Sequence, residues 1–109
     1  MNTLVIFINN EVVFEFDRVV MLEVEQSAFL DKMDNDMKSG IKIDGVLLEK
    51  PDDLQRANFI AMNLIKALQQ DNDATVFATC AYLVNRFPKL IEVRANDHDD
   101  SIKIELIEA

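Results

Sequence analysis

Two helical patterns set only three residues apart constrain this chain more than any other feature. Lys50-Pro51 closes the segment before them, and Asp52 with Gln55 three residues on is a capping-box pattern that opens a helix to about Gln70. Asp71-Asn72-Asp73 then interrupts the pattern, and Asp73 can cap a second helix from Ala74 to Phe87, stopped by Pro88. So short a loop forces the two helices to fold back on each other as a hairpin.

The remaining segments carry strand patterns. Leu4-Val5-Ile6-Phe7-Ile8 is apolar on both faces, which predicts a central strand covered on two sides. Asn9-Asn10 supplies a two-residue turn, after which Val12, Phe14 and Phe16 alternate with Val13, Glu15 and Asp17. Residues 19–24 fit a short strand or the first turns of a helix equally well. From Glu25 to Ser39, Phe29, Leu30, Met33 and Met37 recur at helical spacing, with Asp31, Asp34, Asn35 and Asp36 facing away and Gly40 as the stop. Ile41-Lys42-Ile43 and Val46-Leu47-Leu48 flank Asp44-Gly45, a dipeptide suited to a type I′ hairpin turn. Finally, Ile91 and Val93 alternate with Glu92 and Arg94, and after a polar loop over Asn96 to Asp100, Ile102, Ile104 and Leu106 alternate with Lys103 and Glu105. The expectation is one α+β domain over 1–109, an antiparallel sheet of three hairpins with about three helices packed on one face.

Composition bounds the function. With 109 residues, half of them apolar and only two Gly and two Pro, the chain can bury one core without disulfide or metal. A single Cys and an N-terminal stretch without a basic region followed by a long apolar run favour a cytoplasmic setting. Apolar runs such as Leu4 to Ile8 are far too short for the ~20 residues that cross a bilayer, so no membrane partner is expected. The net charge of −9 is spread over both halves and repels a phosphate backbone, which argues against direct nucleic-acid binding. The same charge either attracts a basic protein partner or serves solubility alone.

Motifs for chemistry are few. The run from Asp97 to Glu108 matches several acidic positions of an EF-hand loop, but Ile102 stands where the loop requires Gly, and Ile-Lys-Ile-Glu-Leu is patterned as strand. Asp34-x-Asp36 and Asp71-x-Asp73 fail the same template and fit helix surface and helix cap. His98, the only histidine, sits in the polar loop with no metal-ligand spacing around it. Cys80 falls on the apolar stripe of the second hairpin helix, among Val76, Phe77, Val84 and Phe87, where it serves as a small core hydrophobe. Gly40 and Gly45 are used by a helix end and a turn, leaving no phosphate-cradling loop. No cofactor or metal is expected, and an enzyme is not favoured.

One surplus remains. On a helical wheel Leu54, Ala57, Ile60, Ala61, Leu64, Ile65 and Leu68 share a face, while Phe59 lands amid the polar residues opposite and Met62 on their border. Tyr82 stands similarly opposite the stripe of the second helix, beside Ala78 and Arg86. A hairpin or the 19–24 segment could cover Phe59. Otherwise these rings point to a covered surface, and the reading preferred is a non-catalytic interaction or regulatory module, self-associating as a homodimer through Phe59, Met62 and Tyr82. Two rivals stand beside it: an acidic inhibitor or nucleic-acid mimic that engages a basic partner, and a small enzyme or ligand-binding domain using carboxylates in a pocket between sheet and helices.

Overall fold

The computed structural model describes residues 3–17, 24–38, 40–43, 45–98 and 101–108. In chain order the elements are β1 (Thr3–Ile8), β2 (Glu11–Asp17), α1 (Val24–Lys38), β3 (Ile41–Ile43), β4 (Val46–Leu48), α2 (Asp53–Gln69), α3 (Asp73–Arg86), β5 (Leu90–His98) and β6 (Ser101–Glu108). The fold is α+β, as the patterns predict. Of residues 19–24, only Val24 is described, as the first residue of α1.

Capping chemistry fixes the helical hairpin. The Gln55 amide donates to Asp52 Oδ1 at 2.8 Å and the Asp52 amide donates to Gln55 Oε1 at 2.9 Å, closing the capping box. The cap of α3 is Asn72 rather than Asp73: its Oδ1 accepts from the Thr75 amide at 3.2 Å, and Asp73 moves into the first turn, where its charge suits the helix dipole. Asp71 absorbs the reversal with a positive φ of 54°.

The sheet departs from the expectation of three antiparallel hairpins. Four strands form one mixed sheet in the order β2-β1-β5-β6, while β3 and β4 pair separately as a two-stranded sheet. The β1–β2 and β5–β6 hairpins join through a parallel contact, with Val5 opposite Glu92 and Phe7 opposite Arg94. The physical reason lies in the edges. Strands β2 and β6 carry charges on alternate residues and tolerate an outer position, whereas apolar β1 is shielded from edge exposure by a neighbour on each side. Asn9 and Asn10 make the first turn with φ of 52° and 69°, and the Asn9 amide donates to the Ala95 carbonyl at 2.8 Å, tying the turn to β5. Strand β5 also runs farther than the polar residues imply: Asn96 and Asp97 pair with Lys103 and Ile102 rather than forming loop, and Asp99 and Asp100 lie outside the described residues.

One core unites helices and sheet. Leu4, Ile6, Val93 and Ala95 are buried in the same cluster as Ala57, Ala61, Leu64 and Ile65 of α2 and Val76, Cys80 and Leu83 of α3. Phe16 meets Phe77 edge-on at 5.6 Å between ring centres, fastening β2 to α3. The alanines of α2 leave room for close packing, and the hairpin of β3 and β4 lies against the same helix. Among the described residues no helix is long and apolar enough to cross a membrane.

Candidate functional site

Strand alternation sends Leu4 and Ile6 into the core and Val5 and Phe7 to the other side of the sheet. Among the described residues, only the first side shares a core cluster with the helices, so there the expectation that β1 is covered on two sides is met on one. Across the open side the register sets Glu15, Val5, Glu92 and Ile107 in one row, and Val12, Phe7, Arg94 and Glu105 in the next. Val5, Phe7 and Ile107 are half-buried, yet none belongs to the core cluster or packs against it.

The centre of this face is a cation resting on a ring. The Arg94 guanidinium carbon lies 4.1 Å from the Phe7 ring centre, and Arg94 Nε donates to Glu92 Oε1 at 2.7 Å. Glu92 thereby tethers the guanidinium over the aromatic ring, where the ring quadrupole attracts it. Between Ile6 and Phe7 the register with β2 slips by a residue, a bulge that leaves Val12 and Val13 exposed at the sheet edge, at 55% and 43%. The result is an apolar strip down the middle of the sheet, partly shaded by Arg94 and bounded by charges of both signs.

The residues singled out on the helices are placed differently. Phe59 is half-buried and packs against the core, and Met62 is half-buried. Tyr82, placed by the wheel on the outer side of α3, is 1% exposed, because α1 lies across that side. Its hydroxyl donates to Asp34 Oδ1, while Arg86 donates through Nε to Asp34 Oδ2 and through an Nη to Asp31 Oδ1, both at 2.8 Å. Asp34 is therefore no free helix surface but the pin between α1 and α3. Burial pushes its carboxyl pKa up, but the hydroxyl of Tyr82 and the guanidinium of Arg86 outweigh that and hold it below the usual value. Burial and the bond to Asp34 push the Tyr82 phenol well up, and Asp34 raises Arg86. An acidic pair at i, i+3 on α1 and a Tyr–Arg pair at i, i+4 on α3 are the sequence signal for this clasp.

Cys80 is fully buried, and burial alone raises its thiol pKa to about 12, so it is held as an unreactive thiol. The backbone of His98 ends β5 opposite Ser101. Among the described residues, no three His, Cys, Asp or Glu side chains gather to hold a metal ion. Neither a protein-family profile, nor a curated protein, nor a solved structure matches the chain.

Proposed function

We propose that this protein is a non-catalytic interaction module that self-associates, two copies meeting through the open face of the four-stranded sheet. The observation that carries the reading is the second apolar side of β1: among the described residues, Val5 and Phe7 lie outside the core cluster that the helices build on the other side. A Phe ring gains about 2 kcal/mol when fully withdrawn from water, an incentive that Arg94 satisfies only in part.

A second copy is the occupant that fits the charge. Two molecules of net charge −9 repel each other at most orientations. On this face, however, Arg94 and Lys103 stand beside Glu15, Glu92 and Glu105, so a two-fold contact can set each cation against a carboxylate of its partner. The rival reading of an acidic decoy for a basic partner draws on the net charge alone. Four strands about 4.8 Å apart and six residues of about 3.3 Å each give a face of roughly 400 Å² in projection. A standard interface takes about 800 Å² from each partner, so the dimer is expected to be weak and concentration-dependent.

Sedimentation equilibrium from micromolar to millimolar protein tests this. The parent should shift from monomer to dimer, Phe7→Asp should remain monomeric, and Met62→Asp on the outer side of α2 should behave as the parent. A parent monomeric throughout sinks the proposal, and dissociation by Met62→Asp but not by Phe7→Asp moves the contact from the sheet to the helix.

A further inference from the structure

A second surface, away from the open sheet face, combines charge and apolar lining in a different way. Where the C-terminal end of α3 meets the start of α2, a cleft of about 280 Å³ is lined by Lys38, Arg56 and Arg86 together with Asp34, Asp53 and Tyr82. Three of the chain's 11 Lys and Arg side chains thus line one cleft of an acidic protein. Asp34 and Asp31 neutralise Arg86. Among the described residues Arg56 bonds directly to Asp53 alone, whose side chain is 83% exposed, so water screens that bond and a competing carboxylate can replace it, while Asp34 feels Arg56 only through space. Among the described residues, Lys38 has no carboxylate within bonding distance.

Asp53, Arg86 and Phe87 also line an adjoining cleft of about 440 Å³, whose remaining walls are Leu54, Ala57, Leu90, Leu106 and Glu108. Leu54 lines it at 62% exposure, the most exposed of the large apolar side chains among the described residues. Together the two clefts fall within the size range of small-molecule sites.

We infer that this trough binds a monocarboxylate with an apolar tail, the carboxylate between Lys38 and Arg56 and the tail against Leu54, Phe87, Leu90 and Leu106. Charge selects the head, because a carboxylate accepts a bidentate bond from Arg56 and a further bond from Lys38. Glu108 lines the apolar cleft and not the charged one, so a second carboxylate on the tail meets a like charge there.

Tyr82 is the only tyrosine, there is no tryptophan, and it lines the charged cleft, so its fluorescence reports the site. Titration with octanoate should give a saturable change, with hexanoate weaker by about fifteenfold, since each buried methylene tightens binding about fourfold. Octanol, octanedioate and acetate should each bind at least tenfold more weakly than octanoate. Lys38→Gln and Arg56→Gln should each weaken octanoate at least fivefold while melting with the parent, and Lys66→Gln, in the cleft on the other side of α2, should leave it unchanged. Absence of saturation, equal binding of octanol or octanedioate, indifference to both Lys38→Gln and Arg56→Gln, or tighter binding of a Leu-terminated tripeptide would each overturn the inference.

Discussion

Ile6 and Phe7 are neighbours on one strand and face opposite sides of one sheet, and their surroundings share little. Ile6 is fully buried beneath α2 and α3, with Leu4, Val93 and Ala95 beside it. Phe7 lies under the Arg94 guanidinium, is only half-buried, and shares its row with Val12 and Glu105. One side is thus held by dispersion and loss of apolar surface, and the other by a single aromatic ring under a salt-bridged arginine. The difference teaches that strand hydrophobicity alone does not say where the strand's own chain supplies the cover.

The largest expected contrast is a pair of truncations. Ile6→Ala should lower the unfolding free energy by about 2–5 kcal/mol, since the roofed side cannot collapse around the missing atoms. Urea denaturation at a concentration where the protein is monomeric measures it, and an equal loss from Phe7→Ala would erase the distinction between the faces.

The clasp that holds α1 over α3 comes next. Tyr82→Phe removes the donor to Asp34 Oδ1 and should cost about 2 kcal/mol. Because the folded carboxyl of Asp34 titrates below its ordinary value of 3.8, its contribution is complete at neutral pH. It should begin to fall near pH 4 and vanish as the pH drops through the folded value. Asp34→Asn should lack this acid-dependent step in a stability profile from pH 6 to pH 2, and a step that persists in the variant belongs to other carboxylates.

Smaller effects belong to the open side. Phe7→Ala in the monomer should cost about 1 kcal/mol, for a ring only partly withdrawn from water. Arg94→Gln should cost about 0.5 kcal/mol in the monomer and shift the association equilibrium more than that. Comparing its urea midpoint with its sedimentation profile separates the two, and a variant that dimerises as the parent shows Arg94 to be a lid rather than a contact.

Much of the local structure was legible from residues alone, because caps and turns are short-range chemistry. Asp52 with Gln55 marked the start of α2, Asn9-Asn10 marked a hairpin, and Cys80 was placed in the core by its stripe. Sheet topology was not legible in the same way. Alternation says which side of a strand is apolar but not which strand lies beside it, so the parallel β1–β5 contact between two hairpins left no local trace. A helical wheel misplaces Tyr82 and Asp34 for a related reason: it assumes one buried side, whereas α3 has the sheet on one side and α1 on another. Polar residues also disguised the end of β5, since Asn96 and Asp97 keep their backbone pairing without any apolar signal. The open-face cluster leaves no sequence signal because Phe7 and Arg94 meet only through that same strand contact.

The parallel pairing of β1 with β5 joins residues nearly ninety positions apart, Val5 with Glu92 and Phe7 with Arg94. During synthesis β1 leaves the ribosome long before its neighbour exists, with only β2 to shield one edge. Until β5 arrives, an apolar strand presents unpaired amides and carbonyls on its other edge, which is the hazard of late, long-range closure. Formation of this sheet therefore waits on β5, and a ribosome that stalls within α3 would hold out the β1–β2 hairpin ready to pair with another nascent copy.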